Sequence, residues 1–387
     1  MVTPWAFGHF LLRSQSIFAL PVGKDSTQRS VQFSGAGSLL DTVAHTGFEV
    51  FDVGGNMSKG STKRLPLLVM SMEQVTRAVR EVFGNRIARE RFPAIREQAA
   101  RWKADLLVCD EMDFGSMLAA EHLSLPYATM LVIASGLLAK KEWLDEPLTR
   151  QREEYGLSPD PGLVMLSRYL VLSPFPPGFR DPRSPLPATA HSFRPSASNI
   201  GDAPAWLDHF SPKPTVYVTL GTDFNIGSGD LFERILEGLQ TLPIDVIATV
   251  GRDIDPAEFG PQPENVRIER YIDQWFVLPR CDLMVCHAGS GSVSAALAHG
   301  LPMLLLPLGA DQQFNAQRSR ELGIALTLDP LEATPRMVQN AAATLLAGED
   351  FRHVAQRFRD EIAALPGEET VVSLLCDIAQ SKTPPRR

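Results

Sequence analysis

Cysteine is scarce in this chain: its 387 residues contain four, at positions 109, 281, 286 and 376. Small domains held by disulfides carry many more cysteines in far fewer residues, so a disulfide framework is excluded. Cys281, Cys286 and His287 lie close together in the sequence, but their spacing matches no usual zinc pattern. Cys286 also falls in an apolar run, which predicts buried cysteines that pack as small hydrophobic residues.

Long apolar runs are lacking as well. No stretch approaches the roughly 20 apolar residues that cross a bilayer, and no secretory signal is visible. These absences predict a cytoplasmic protein without integral membrane contact. Hydrophobic residues make up 44% of the chain and charged residues 21%, which is a globular composition.

Positive charge is sparse in the second half. The net charge of the chain is -8, and residues 201–387 hold 15 Lys/Arg against 25 Asp/Glu. A nucleic-acid surface needs a basic stripe that replaces counterions, so nucleic acid is excluded as a partner. A polyphosphate ligand would have to be bound locally, by backbone N–H groups and a few placed donors.

Short apolar runs alternate with helical patterns through the second half of the chain. Because most of these runs are apolar on both faces, they indicate an α/β domain with a parallel, doubly wound sheet. Such a sheet binds ligands at the carboxyl ends of its strands. The predicted strands are Thr215–Leu220, Ile244–Val250, Val266–Ile268, Leu283–Cys286, Met303–Leu306 and Ile324–Leu328.

The length of the chain predicts two domains. A first α/β domain covers residues 1–195, with strands over Phe48–Val53, Leu106–Cys109 and Tyr127–Ile133. Prolines accumulate after residue 156, which predicts a linker over 196–214. The second domain covers 215–381, and the tail 382–387 is predicted to be disordered. Residues 10–38 are atypical, because they show neither the first helix nor the second strand of an α/β domain.

A turn of small and polar residues, His287-Ala-Gly-Ser-Gly-Ser292, follows one of these strands and precedes a helical pattern. Gly289 and Gly291 allow the backbone to turn tightly and to approach a ligand. Ser290 and Ser292 can cap the helix or donate to an anion. The helix N-terminus adds free N–H groups and a partial positive charge, and the histidine adds one donor, so a diphosphate fits there. A strand–helix joint that only needs small residues is the alternative.

The same turn has a partial likeness to the dinucleotide fingerprint. Gly289 and Gly291 match its first two glycines, the third is missing, and Asp311 follows at a compatible distance. That fingerprint follows the first strand of its domain, whereas this turn comes several strands later. An NAD(P)-dependent oxidoreductase is therefore the weaker alternative.

Two further groups of residues could carry chemistry. Asp311 and Gln312 follow a predicted strand and could hold sugar hydroxyls, or Asp311 could simply cap the next helix. His9 near the start of the chain and Asp110 at the end of a strand could form a general base with its carboxylate partner. The alternative is that each side chain is an ordinary surface or turn residue.

Asp253 and Asp255 form an Asp-x-Asp pair of the kind that holds Mg²⁺ or Mn²⁺ in some sugar transferases. They stand among loop residues, which favours a solvated loop. No metal is predicted.

Together these segments resemble the family 1 glycosyltransferases of the GT-B fold, particularly the actinobacterial enzymes that glycosylate polyketides and other natural products. The match is specific over residues 200–365 and looser over 39–195. The matching segments are Val216-Tyr-Val-Thr-Leu-Gly-Thr222, Val250-Gly-Arg252-Asp253, Tyr271-Ile-Asp-Gln274, Leu278-Pro-Arg-Cys-Asp282, His287-Ala-Gly-Ser-Gly-Ser292 and Asp311-Gln312-Gln-Phe-Asn315-Ala-Gln-Arg318.

The resemblance implies two Rossmann-like domains that face a central cleft, with an acceptor domain first and a donor domain second. It implies that His9 is the base and Asp110 its partner, without metal or cofactor. The donor would be a nucleotide sugar. The implied donor-site residues are Thr222, Arg252, Ile272, Gln274, His287, Gly289, Ser290, Gly291, Ser292, Asp311 and Gln312.

The expected function is an inverting transfer of a sugar or deoxysugar from a TDP- or UDP-sugar to a hydroxyl of a small hydrophobic acceptor, in antibiotic biosynthesis or other secondary metabolism. Because residues 10–38 depart from the family, a catalytically impaired nucleotide-sugar-binding auxiliary protein is the alternative. The sugar, the acceptor and the oligomeric state, a homodimer included, stay open.

Overall fold

The computed structural model describes residues 17–19, 31–35, 40, 43–44, 47–53, 64–195, 203–209, 213–221 and 224–385. Two residues of the predicted site, His9 and Thr222, lie outside these ranges. So do most of the atypical segment 10–38, most of the linker 196–214, and the last two residues of the tail.

The first domain is built on a seven-stranded sheet with the strand order β3-β2-β1-β4-β5-β6-β7. Its strands are β1 (Ile17–Ala19), β2 (Gln32–Gly35), β3 (Glu49–Asp52), β4 (Leu107–Asp110), β5 (Tyr127–Met130), β6 (Leu170–Ser173) and β7 (Ala190–Ser192). Its helices are α1 (Met72–Arg77), a π-helical stretch (Ala78–Ile87), α2 (Ala88–Trp102), α3 (Phe114–His122) and α4 (Lys141–Glu154).

One strand of this sheet departs from the predicted parallel arrangement. β1 pairs antiparallel with both β2 and β4, whereas the other strand pairs of the sheet are parallel. A parallel connection needs a crossover of about a dozen residues or more, usually a helix. The sequence between Ala19 and Gln32 has no helical repeat, and it contains Pro21 and Gly23. A segment without a crossover helix permits β2 to pair with β1 only in the antiparallel direction.

The second domain has a six-stranded, fully parallel sheet, as predicted, with the order β10-β9-β8-β11-β12-β13. Its strands are β8 (Thr215–Thr219), β9 (Asp245–Thr249), β10 (Val266–Glu269), β11 (Leu283–Cys286), β12 (Met303–Leu305) and β13 (Ala325–Thr327). Its helices are α5 (Leu231–Leu239), α6 (Gln274–Val277), α7 (Ser290–Ala298), α8 (Gln312–Glu321), α9 (Pro335–Ala347) and α10 (Glu349–Ala363).

The strand order of the second sheet fixes where a ligand can enter. The chain winds outward from β8 through β9 to β10, and then restarts on the other side of β8 with β11. This reversal leaves a crevice outside the carboxyl ends of β8 and β11, the position where doubly wound sheets bind ligands. Cys286 pairs with Thr219 across that junction. The residues that follow them therefore line the crevice.

The last helix, α11 (Glu368–Ser381), returns to the first domain. It lies inside the predicted second domain by sequence, yet Val371, Leu375 and Ile378 pack on the first sheet among its buried residues. Phe179 of the first domain likewise contacts the second through the ring of Phe358, with centroids 6.2 Å apart. The two domains thus share apolar contacts on more than one side. Among the described residues no helix combines the length and apolarity needed to cross a membrane.

We expect Leu375→Ala to lower the free energy of unfolding by about 2–5 kcal/mol, because it leaves a cavity between α11 and the first sheet. Leu375 has no exposed surface. Urea unfolding followed by circular dichroism measures the change. Leu331→Ala is the matched control, since Leu331 is 62% exposed, and its effect should stay within about 0.5 kcal/mol. Equal effects of the two substitutions would contradict the packing of α11 on the first sheet.

Candidate functional site

The turn between β11 and α7 presents an uncapped helix N-terminus to the crevice. Ala288 has a positive φ of 67°, and Gly289 occupies the N-cap position with φ -62° and ψ 144°. No side chain caps α7. The first N–H groups of a helix have no partner within the helix, so those of the first turn can serve a ligand. A Cβ added at Gly291 would meet no atom within 4 Å, which shows open space at this turn.

His287 forms the wall of the crevice between β8 and β11. Its ring lies against Gly221 and Gly289, because a Cβ at either glycine would come within 2.5 Å of Nε2. Only glycine therefore fits at Gly221, which also has a φ of 81°. Burial lowers the pKa of His287 to about 4. The imidazole is neutral at physiological pH and offers one N–H donor.

The hydroxyl of Ser290 is occupied by protein groups. It donates its single hydrogen to the carboxylate of Asp311. It accepts from the backbone N–H of Ala134 at 2.7 Å and from Nδ2 of Asn315 at 3.0 Å. In this arrangement an anion would meet the backbone of the turn rather than the Ser290 side chain. Ser292 is half-buried and lies in the first turn of α7.

Asp311 stands at the N-cap position of α8, but its side chain makes no capping hydrogen bond. The alternative in which the Asp311 side chain caps this helix is therefore wrong. The carboxylate instead accepts from Ser290 and from Nδ2 of Asn315, the latter at 2.8 Å. Burial raises the pKa of Asp311, and the hydrogen bonds from Ser290 and Asn315 oppose that rise. The half-buried carboxylate is thereby held against the first turn of α7.

Gln312 is also used by the protein. It is 1% exposed, and its Oε1 accepts from the backbone N–H groups of Leu308 and Gly309 at 2.7 and 3.0 Å. This side chain braces the loop that follows β12. Only its Nε2 is left for a ligand contact.

The residues expected to frame a base follow the carboxyl ends of β9 and β10. The exposed Arg252 places its guanidinium 4.5 Å from the ring centroid of Tyr271. Ile272 is buried, and Gln274 is half-buried at the start of α6. These side chains lie at the same edge of the sheet as the turn after β11.

Asp255 has a structural partner of its own. It caps the 3₁₀ turn Pro256–Phe259 through the N–H of Ala257, and it forms an ion pair with Arg270 at 3.1 Å. Within the ranges that the structure describes, no group of three His, Cys, Asp or Glu side chains could hold a metal ion. The four cysteines are buried, as predicted, and none of them is joined to another in a disulfide.

Asp110 ends β4 on the first sheet and is 7% exposed. Its Oδ1 accepts from the backbone N–H of Met112 at 2.7 Å. Burial raises its pKa to about 8, and the nearby carboxylates of Glu111 and Asp113 add to that rise. Asp110 alone is therefore mostly protonated at neutral pH. Its predicted partner His9 lies outside the described residues, so their meeting stays a prediction.

Asn315 and Glu111 also belong to this junction, although no site role was predicted for them. Both are buried and bonded to the loop after β5 in the first domain. Asn315 stands one helical turn after Asp311, a spacing that brings their side chains together. That spacing was visible in the sequence. The contacts with the first domain were not, because they join residues 180 positions apart.

Comparisons with known proteins agree with this architecture. Residues 233–378 match the family model of the erythromycin biosynthesis protein CIII-like C-terminal domain. The 4'-demethylrebeccamycin synthase of Lentzea aerocolonigenes is 31% identical over 216 residues, which are 55% of this chain and 50% of that protein. The chain thus spans about half the length of this relative. The 3-alpha-mycarosylerythronolide B desosaminyl transferase of Saccharopolyspora erythraea is 26% identical over 306 residues, 74% of this chain and 71% of that protein.

The fold is matched by solved structures. The glycosyltransferase VinC, crystallised in complex with dTDP, superposes with a TM-score of 0.71 at 23% identity, over 90% of this chain and 92% of that chain. This likeness confirms the predicted GT-B fold. Together with the curated relatives, it confirms the predicted resemblance to actinobacterial natural-product glycosyltransferases.

We expect the stability of the protein to fall as the pH is lowered from 6.5 to 4, in part through His287. In the unfolded chain the imidazole takes a proton near pH 6.5, whereas the folded chain resists it until about pH 4. The unfolded state then binds more protons, so the free energy of unfolding decreases over this window and is unaffected by this group above it.

Urea unfolding at pH 7 and pH 4.5 measures the contribution of His287 to this loss of stability. The unmodified chain is compared with His287→Gln, which should lose less stability on acidification. His353→Gln is the matched control, because His353 is exposed on α10. Parallel losses in the chain and in His287→Gln would contradict the buried neutral imidazole.

Proposed function

We propose that the chain is an inverting glycosyltransferase. It moves a sugar or deoxysugar from a TDP- or UDP-sugar to a hydroxyl of a small hydrophobic natural product. One observation carries the proposal: an uncapped helix N-terminus opens at the switch point of a doubly wound sheet, beside a buried neutral histidine. The names of the relatives support the reaction class.

The donor would lie along the carboxyl edge of the second sheet. Its diphosphate would accept from the backbone N–H groups of the first turn of α7 and from His287, with Thr222 as a further contact. Its base would lie at Ile272 and Gln274, near Arg252, and its sugar would reach toward Asp311 and Gln312. These groups follow β8, β9, β10, β11 and β12, which end at one edge.

The proposed reaction combines this donor site with His9, the base that the family resemblance implies. His9 removes the proton from the acceptor hydroxyl while that oxygen attacks the anomeric carbon from the face opposite the diphosphate. The C–O bond to the diphosphate breaks, and the configuration inverts. The negative charge that grows on the leaving diphosphate is stabilised by the helix N-terminus and by the N–H of His287, which are already oriented.

The position of the turn argues against the oxidoreductase alternative. The dinucleotide fingerprint follows the first strand of its domain, whereas Gly289 and Gly291 follow β11, the fourth strand of the second sheet. Calorimetric titration with TDP, UDP and NAD⁺ tests this choice. Binding of NAD⁺ alone would contradict the proposal.

The antiparallel direction of β1 departs from the expected acceptor domain, so the auxiliary-protein alternative must be tested as well. β1 runs against β4, so its amino end, not its carboxyl end, lies beside Asp110. Incubation with a panel of nucleotide sugars and hydrophobic aglycones, followed by mass spectrometry, distinguishes the two functions. A glycosylated product supports the transferase, whereas nucleotide binding without product from any pair supports the auxiliary protein.

We expect Gly291→Ala to weaken TDP or UDP binding about tenfold or more without destabilising the fold. The added methyl group meets no protein atom, and alanine favours a helix by up to about 1 kcal/mol relative to glycine. The methyl group would occupy the space of the diphosphate. Calorimetry measures the affinity and thermal unfolding the stability. Ser373→Ala, on the exposed face of α11, is the control, and an unchanged affinity of Gly291→Ala would remove the diphosphate from this turn.

We expect His9→Ala to lower kcat by a factor of about 10²–10⁴ while nucleotide affinity is retained, because only the proton acceptor is removed. Steady-state kinetics with the best donor and acceptor pair measures kcat, and calorimetry measures binding. His191→Ala, on β7, serves as the control for loss of a histidine elsewhere in the first domain. A rate equal to that of the unmodified chain would exclude His9 as the base.

A further inference from the structure

A short segment of the first domain is held by side chains from both domains. Four consecutive backbone N–H groups, from Val132 to Ser135, all donate to side-chain oxygens. Glu111 Oε1 accepts from Val132 and Ile133 at 2.6 and 2.7 Å. Ser290 Oγ accepts from Ala134 at 2.7 Å, and Asn315 Oδ1 accepts from Ser135 at 3.1 Å. The first two bonds are internal to the first domain, and the last two cross to the second.

Asn315 is the residue in which these contacts converge. It has no exposed surface. While its Oδ1 accepts from Ser135 of the first domain, its Nδ2 faces three acceptors of the second. These are the carbonyl of Ala288 at 3.0 Å, Ser290 Oγ at 3.0 Å and Asp311 Oδ2 at 2.8 Å.

The orientation of this amide is fixed by its partners. The backbone of Ser135 can only donate, so it requires the oxygen of Asn315. The carbonyl of Ala288 and the carboxylate of Asp311 can only accept, so they require the N–H groups. A residue at this position must therefore accept on one side and donate on the other. Of the side chains of this size, an amide satisfies both requirements without a charge.

Two of the three acceptors on Nδ2 belong to the turn at which we propose that the donor phosphates bind. Ala288 has the positive φ that swings the chain from β11 into α7, and Ser290 is the first residue of that helix. Asp311 precedes α8. Asn315 thus holds the turn in shape and, through the same amide, holds the loop of the first domain against it.

We propose that Asn315 is a positioning residue that couples the donor-phosphate turn to the acceptor domain. The coupling rests on the proposed function, since it assumes that a nucleoside diphosphate binds at this turn. Asn315 makes the conformation of residues 288–290 depend on the position of residues 134–135, and the reverse. Asn315 itself has no exposed surface, so it would act on the donor through the turn and not by direct contact.

The test uses Asn315→Asp, which preserves the shape and replaces the donor by a carboxylate. At pH 8 the new carboxylate faces the carboxylate of Asp311 and cannot donate to Ala288. We expect the affinity for TDP or UDP, measured by calorimetry on the full chain, to fall at least tenfold relative to the unmodified chain. At pH 6 the buried carboxyl is protonated and donates again, so the difference should shrink to about twofold.

Other titratable and charged groups surround this junction, and the comparison must account for them. Asp311 lies on the same helix, Glu111 and Arg180 face it from the first domain, and His287 lies at the end of β11. All of them are present in both chains, so the ratio of the two affinities at each pH removes their contribution. Asn340→Asp, on the exposed side of α9, is the matched control and should show no difference at either pH.

A second variant covers the case in which Asn315→Asp does not fold at pH 8. Asn315→Ala introduces no charge, so it should weaken nucleotide binding at both pH values alike. A side chain that only fills space would lower the melting temperature in these variants but leave the affinity of the folded fraction and its pH dependence unchanged. That outcome would overturn the proposal.

Hydrogen exchange of the ligand-free chain separates this inference from the proposed function. In either variant we expect faster exchange at the N–H groups of Ala134 and Ser135 together with the turn 288–292. Unchanged exchange at both places would overturn the coupling. If the unmodified chain binds neither TDP nor UDP, the proposed function fails, and the exchange result alone then decides whether Asn315 couples the two domains.

Discussion

The single hydrogen of the Ser290 hydroxyl sets the direction of the three hydrogen bonds that this side chain makes at the junction of the two domains. Because that hydrogen goes to Asp311, the oxygen of Ser290 is left to accept from Ala134 and from Asn315. Asn315 must then present its amide nitrogen to this side and its oxygen to Ser135. Reversal of any one bond would leave a buried donor facing a donor, which costs more than a hydrogen bond contributes. The first turn of α7 is fixed by this constraint.

The same constraint bears on how an acidic domain would bind the proposed diphosphate. Protein groups occupy the Ser290 side chain, so the anion is left with backbone N–H groups and a neutral imidazole. Neither group carries a full charge, so the site avoids the large free-energy cost of burying a charged side chain. Their attraction for phosphate comes from oriented dipoles, which are already in place before the ligand arrives. Such a site needs no basic surface around it, in agreement with the net charge of the second half.

The sequence could predict the second sheet almost strand for strand, because its strands are short apolar runs that alternate with helical patterns. It could also place His287 and the glycines of the turn, since their spacing is local. It could not predict that α11 returns to the first sheet, because an amphipathic pattern tells which face is buried but not against what. The roles of Asp311 and Asn315 were hidden for a similar reason, since they bond to Ser290 and to Ser135, 21 and 180 positions away. Which acceptor a buried donor finds is decided by residues far away in the chain.

The high pKa of Asp110 bears on how an acid–base pair could work in this cleft. A buried carboxyl that is protonated at neutral pH cannot stabilise a cation, but a cation that forms beside it lowers its pKa. If His9 lies against Asp110, the two groups titrate as a pair, and only the form with a neutral imidazole and an ionised carboxylate can take the acceptor proton and become an ion pair. The imidazolium and the carboxylate would then face each other only as the transition state forms. Burial of Asp110 would thereby favour the transition state over the ground state, which is the condition for a gain in rate.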